Sequence, residues 1–171
     1  MINEKSAGVI VFRFHPNDGL QYLVLYMRGS YWNFPKGRVG DKETEIVAAK
    51  RELYEETGIK NIKMVEGWRQ ETEFFFKEDR NGRKELIKKR MVLFLAKTAP
   101  DAVVNLMHEP GGGDFLNGYA WLDYKAATKY LKFKNLKSII KEADYFVNKR
   151  VEEYRRGQKH KKGGDTNGRR K

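Results

Sequence analysis

The stretch that decides the fold runs from Gly37 to Ile59 and reads GRVGDKETEIVAAKRELYEETGI. It predicts a helix over about Thr44–Thr57, because Thr44 is a preferred N-cap residue and Gly58 suits the left-handed conformation that ends many helices. Apolar residues at spacings of three and four form the stripe that we expect to pack on the core: Ile46, Ala49 and Leu53.

Three carboxylates share one face of this predicted helix. Glu52, Glu55 and Glu56 are three and four positions apart, so their side chains lie close together and repel one another. A set of hard oxygen ligands is what Mg²⁺ requires, and a bound cation would relieve the repulsion. Taken alone, however, three glutamates on a helix are more often a solvated face than a metal site.

The whole stretch resembles the Nudix box. That motif reads Gly, five residues, Glu, seven residues, then Arg-Glu-aliphatic-x-Glu-Glu-x-Gly-aliphatic. Every defined place is filled: Gly37, Glu43, Arg51, Glu52, Leu53, Glu55, Glu56, Gly58 and Ile59. Seven places require a specific residue, so a chance match at one register has a probability on the order of 10⁻⁸ when each residue type occurs at about 7%.

The resemblance implies an α/β fold, the α/β/α sandwich with a mixed β-sheet, and a hydrolase that uses Mg²⁺, with Mn²⁺ as a possible substitute. By position, Glu55 and Glu56 are expected to bind the metal, and Glu52 is expected to be a ligand or the base that orients water. The remaining box residues have supporting roles: Glu43 and Arg51 as an ion pair, and Gly37 and Gly58 at backbone bends.

Segments outside the box resemble the asymmetric dinucleoside tetraphosphate hydrolases within this family. They include AGVIVFR from Ala7, the run Trp32–Gly37 and the segment AATKYLKF from Ala126. In that group a further glutamate binds metal, which makes Glu109 the expected outside ligand, although the following Pro110–Asp114 departs from the group's pattern.

Substrate contacts can also be assigned from this resemblance. Lys36 is a candidate phosphate contact, and a surface lysine in a turn is an equally good interpretation. The tyrosines that stack an adenine in these enzymes are not matched on the hairpin, so Tyr31, Phe74 and Phe76 are the expected replacements. Phe74 and Phe76 would equally suit a core position, because they share one strand face.

Alternating and β-branched residues predict two strand pairs around the helix. Ala7–Phe14 and Gln21–Met27 form the first pair, and Trp68–Lys77 and Arg90–Ala96 form the second, with a type I′ turn at Asn81-Gly82. A last short strand, Tyr119–Leu122, precedes two predicted helices, Tyr124–Leu131 and Leu136–Tyr154. Five residues of the second helix are expected on its buried face: Ile139, Ile140, Ala143, Phe146 and Val147.

Composition bounds the remaining expectations. The chain has 171 residues and a formal net charge of +12, and we expect one domain over residues 1–156 and a basic, disordered tail over 157–171. The positive charge of both the domain and the tail suggests a possible contact with RNA. There is no cysteine and no apolar run of membrane-spanning length, which favours a cytoplasmic protein without membrane contact.

Three functions are compatible with these patterns. The leading one is asymmetric cleavage of a dinucleoside tetraphosphate to a nucleoside triphosphate and a monophosphate by water attack at phosphorus. An RNA 5′-pyrophosphohydrolase is the close alternative, favoured by the positive charge. A non-catalytic Nudix module that binds a nucleotide or RNA is disfavoured, because binding alone does not need the carboxylate cluster.

Overall fold

A computed structural model of the chain describes residues 1–27, 31–106 and 116–163. Glu109, the Pro110–Asp114 segment and positions 164–171 of the predicted tail lie outside the described residues. The described residues form seven strands: β1 (Ile2–His15), β2 (Gly19–Met27), β3 (Tyr31–Asn33), β4 (Lys36–Arg38), β5 (Ile62–Arg80), β6 (Arg83–Thr98) and β7 (Leu116–Leu122). They also form three helices: α1 (Glu45–Thr57), α2 (Tyr124–Tyr130) and α3 (Lys134–Gly163).

All seven strands belong to one mixed sheet. The strand order is β3-β2-β1-β6-β5, with β4 paired to β1 and β7 paired to β2. β1 and β6 are parallel, and the other pairs are antiparallel. β1 begins at Ile2, five residues before the predicted start, because its polar first residues pair with β6 from Ile87 onward.

Helices cover both faces of the sheet, as the α/β/α prediction requires. Successive residues of β1 point to opposite faces: Val9 and Val11 pack with α1, whereas Ile10 and Phe12 pack with α2 and α3. The predicted fold class is therefore confirmed. β4 lies beside β1 on the edge opposite β6, which places it next to α1.

The β5–β6 hairpin is longer than predicted. Asn81 and Gly82 connect Arg80 to Arg83 with φ values of 54° and 77°, in agreement with the predicted type I′ turn. β5 starts at Ile62 and not at Trp68, because a bulge between Met64 and Arg69 interrupts the alternation that marks the strand in the sequence.

The box helix has the predicted ends but a shorter apolar stripe. The Thr44 hydroxyl accepts a hydrogen bond from the Val47 amide at 3.4 Å, and Gly58 ends the helix at a φ of 71°. Leu53 is fully buried, but Ile46 is 39% exposed, so its predicted core position is wrong. The reason is local, because the first helical turn lies beside charged groups: Glu45 pairs with Lys5 and Arg69.

Helices α2 and α3 cover the other face. Asp123 caps α2 through a 2.7 Å hydrogen bond from the Ala126 amide. Four of the five residues predicted on the inner face of α3 are buried and Phe146 is partly buried. α3 runs to Gly163, which is seven residues into the segment predicted as a disordered tail from Gly157. None of the described helices has both the length and the apolar character needed to cross a bilayer.

Candidate active site

Two glycines allow the elements of the site to approach closely. A Cβ on Gly8 of β1 would overlap the Pro35 carbonyl oxygen and the Lys36 side chain, so only glycine lets β4 lie this close to β1. A Cβ on Gly37 would overlap all three carboxyl atoms of Glu52. Gly37 thus makes room for Glu52 within a strand and does not form the bend that we predicted.

Arg51 connects the acidic residues of the site. Its Nε and Nη2 donate to the two Glu43 oxygens at 2.8 and 2.9 Å, forming the predicted ion pair. Its Nη1 donates to Glu52 Oε1 at 2.8 Å and to Glu55 Oε2 at 2.7 Å, and its Nη2 also donates to the Arg38 carbonyl oxygen at 2.9 Å. These five hydrogen bonds use the full donor capacity of a guanidinium, so Arg51 fixes one orientation of each carboxylate.

The pKa values of the residues in this network shift in different directions. Hydrogen bonds from Arg51 and from the Gly40 amide lower the pKa of Glu43 to about 2. Burial raises the pKa of Glu52 above its usual range, an effect that Arg51 and Lys36 partly offset. The acidic neighbours, Glu43 first, raise the pKa of Arg51 further, so it stays charged. Glu52 is therefore a more basic carboxylate than an exposed glutamate.

Glu56 is attached to the backbone of β4. Its Oε2 accepts a hydrogen bond from the Lys36 amide at 2.9 Å. Lys36 is only 6% exposed, so the interpretation as a surface lysine in a turn is wrong. Its charge acts on Glu52, which places the ammonium group in the electrostatic environment of the box carboxylates. β4 therefore contributes both a backbone donor and a cation to the site.

Carboxylates on this edge of α1 fit a magnesium ion by donor type. Within the described ranges, no three His, Cys, Asp or Glu side chains form a ready-made metal cage. One oxygen each of Glu52 and Glu55 is bonded to Arg51, and each carboxylate has a second oxygen that can accept. Mg²⁺ commonly uses one or two carboxylates together with waters and substrate phosphates, so a complete protein cage is not required.

Phe133 brings two of the predicted stacking residues together. The Tyr31 and Phe74 rings each lie 5.7 Å from the Phe133 ring in edge-on arrangements of 75° and 74°. Phe74 also packs against the core, whereas Phe76, two residues farther along β5, is 39% exposed. Tyr31, Phe74 and Phe133 therefore form one group of rings, which we call the aromatic cluster.

Sequence reasoning missed three contributors to this arrangement. Phe133 ends the segment AATKYLKF, whose resemblance to known hydrolases was its only signal. Gly8 lies in AGVIVFR, but nothing in that run indicates that a second strand backbone approaches it. The Arg38 carbonyl oxygen acts through its backbone, so its side-chain identity carries no information about the contact.

Comparisons with known proteins give consistent results. The family model described as the NUDIX domain matches residues 3–143. The asymmetrical bis(5'-nucleosyl)-tetraphosphatase of Mus musculus is 27% identical over 153 residues, covering 84% of this chain and 95% of that protein. An RNA pyrophosphohydrolase of Caulobacter vibrioides is 41% identical over 69 residues, covering 37% of this chain and 38% of that protein. A C. elegans Ap4A hydrolase binary complex has a TM-score of 0.70 at 23% identity, covering 85% and 98% of the two chains.

Proposed function

This chain is a hydrolase of the Nudix family, and from that premise we propose that it cleaves dinucleoside tetraphosphates asymmetrically into a nucleoside triphosphate and a nucleoside monophosphate. The observation that carries the proposal is the arrangement of Glu52, Glu55 and Glu56 along one edge of α1, held by Arg51 and by the backbone of β4. Similarity to the asymmetrical tetraphosphatases extends over most of both chains, which supports this substrate class.

Glu52, Glu55 and Glu56 are the proposed magnesium ligands, with Mn²⁺ as a possible substitute and Glu109 as a further ligand. The chemistry that such a cation supplies is neutralisation of charge on the phosphate oxygens and a lower pKa for water. Arg51 keeps the carboxylates of Glu52 and Glu55 adjacent despite their repulsion. The protein thus contributes positioning, which is the larger part of catalysis in phosphoryl transfer.

Glu52 is the residue best suited to take the proton of the attacking water. Its side chain is only 14% exposed, and burial raises its pKa, which makes it a stronger base. In the proposed step, the water oxygen forms a bond to phosphorus, the phosphoanhydride P–O bond breaks, and the bonding electrons leave with the departing phosphate oxygen. The water proton passes to Glu52 and then to solvent.

Substrate recognition is proposed to use Lys36 and the aromatic cluster. The Lys36 ammonium would meet a phosphate beside the carboxylates, because its charge already acts on Glu52. An adenine can stack on Tyr31, Phe74 or Phe133, since aromatic side chains accept any base through its π-face. Phe76 remains a weaker candidate, because its ring is not one of the ring contacts of Phe133.

The second candidate function is removal of pyrophosphate from the 5′ end of RNA. It is favoured by the 41% identity to the Caulobacter vibrioides RNA pyrophosphohydrolase, although that match spans 38% of the relative's length. The net charge of +12 also favours an RNA substrate.

A direct comparison of the two substrates separates the two functions. The full chain is incubated with Mg²⁺ and either diadenosine tetraphosphate or 5′-triphosphorylated RNA, and the products are separated by ion-exchange chromatography. We expect equimolar ATP and AMP from the dinucleotide; release of pyrophosphate from RNA with an intact dinucleotide would refute the proposal. Glu56→Gln should abolish turnover, whereas the exposed control Glu142→Gln should retain it. If neither substrate is cleaved, the chain is a binding module.

A further inference from the structure

A groove lies on the side of the sheet opposite the box helix. It has a volume of about 880 Å³ and lies between the ends of β1, β5 and β6 and the second half of α3. Phe14 borders the groove and is six residues from Gly8, the β1 residue that pairs with Lys36. Phe12, which also borders the groove, is four residues from Gly8. At about 3.3 Å per residue, the β1 side of the groove lies about 13 to 20 Å along the strand from Gly8, on the face of the sheet opposite the box helix.

The walls of the groove combine aromatic rings with cations. Lys97 lies over the Phe14 ring at 5.2 Å from its centroid, and Arg150 lies over the Phe146 ring at 4.7 Å. Tyr154 adds a third ring, which is 70% exposed. The exposed ring gives a surface on which a planar base can stack.

The groove contains like charges placed next to each other. Lys63 and Lys97 are direct cross-strand partners on β5 and β6, an arrangement that is unfavourable for like charges. In the part of the chain that the structure describes, neither lysine has an ion-pair partner. Arg150 and Arg155 border the same groove, so four cations surround a space that a polyanion would neutralise.

We propose that this groove binds single-stranded RNA. The cations would pair with successive phosphates, and Tyr154 would stack on an unpaired base, which a duplex does not offer. The single carboxylate in the lining, Glu66, would repel phosphate but can accept a hydrogen bond from a ribose 2′-hydroxyl, which favours RNA over DNA. This binding site is independent of the proposed hydrolysis, since it lies away from the box carboxylates.

The test measures binding without turnover. A fluorescein-labelled 12-nucleotide RNA with a 5′-hydroxyl is titrated with the full chain by anisotropy, without divalent cations, at several salt concentrations. The log of the association constant falls linearly with the log of the salt concentration, and each phosphate contact to a single strand contributes about 0.7 to the steepness of that slope. The slope should therefore become shallower by about 2 in the triple variant Lys63→Ala, Lys97→Ala, Arg150→Ala. Tyr154→Ala should weaken binding about 10-fold.

A charge-matched control separates the groove from overall charge. The triple variant Lys50→Ala, Lys125→Ala, Lys141→Ala loses the same charge from exposed positions outside the groove and should bind RNA with an unchanged slope. Equal losses in both triple variants, no effect of Tyr154→Ala, or equal binding of the matching DNA strand would each overturn the proposal. Preferential binding of a poly-glutamate peptide would overturn it in favour of a protein partner. Circular dichroism of each variant verifies folding.

Discussion

Replacing Gly37 with alanine should separate activity from folding. The new Cβ would occupy the space of the Glu52 carboxyl group, which lies directly over this residue of β4. The backbone at Gly37 is not among the positive-φ glycines, so alanine adds no backbone strain. The side chain of Glu52, as the flexible partner, has to move away.

The size of the effect follows from the overlap. All three carboxyl atoms must retreat by more than about 1 Å before they reach the ~3.5 Å at which non-bonded carbon atoms rest. A displacement of about 1 Å in a catalytic group costs about 100-fold in rate. This corresponds to about 2.7 kcal/mol of activation free energy. We therefore expect kcat for diadenosine tetraphosphate to fall about 100-fold.

The assay compares Gly37→Ala with Gly118→Ala. Gly118 lies in β7 and has open space where its Cβ would be, so the control adds the same methyl group without a collision. Both variants should melt within about 4 °C of the wild type, because the clash in Gly37→Ala is relieved by a side chain. If Gly37→Ala retains wild-type kcat, the position of Glu52 does not determine the rate and the reasoning is refuted.

Three further predictions follow from the same contacts. Arg51→Lys should lower activity by about 10-fold or more and raise the Mg²⁺ concentration needed for half-maximal rate. The reason is that an ammonium group cannot replace the five fixed hydrogen bonds of the guanidinium. An unchanged Mg²⁺ titration would contradict this. The depressed pKa of Glu43 predicts stabilisation that is complete above about pH 4.3 and is lost as the pH falls through about 2. In urea unfolding, the stability difference between wild type and Glu43→Gln should therefore shrink between pH 5 and pH 2, and a constant difference would exclude this role. Phe133→Ala should raise KM for diadenosine tetraphosphate about 10-fold with little change in kcat, whereas Tyr145→Ala, at an exposed position, should change neither.

The local signals in the sequence predicted the box helix because they act within a few residues. Thr44 and Gly58 set its ends through contacts that involve one turn of chain. The type I′ turn at Asn81-Gly82 is equally local. Ile46 was misplaced because its spacing fits the apolar stripe, but the first helical turn lies beside charged side chains of the sheet, Lys5 and Arg69.

Contacts between distant segments were not predictable in the same way. Gly37 occupies its motif position, but the reason for a glycine there is the carboxyl group of Glu52 on another element. Lys36 is buried because β4 pairs with β1, and a three-residue strand leaves no periodic signal. α3 extends to Gly163 through polar residues, which propensity permits but hydrophobic patterning does not reveal.

The most direct measurement is a crystal structure of the full chain with Mg²⁺ and a non-hydrolysable dinucleoside tetraphosphate. We predict a cation within about 2.1 Å of carboxylate oxygens from Glu52, Glu55 or Glu56, bridged to the polyphosphate. A polyphosphate bound elsewhere, with no cation along that edge of α1, would contradict the proposed mechanism.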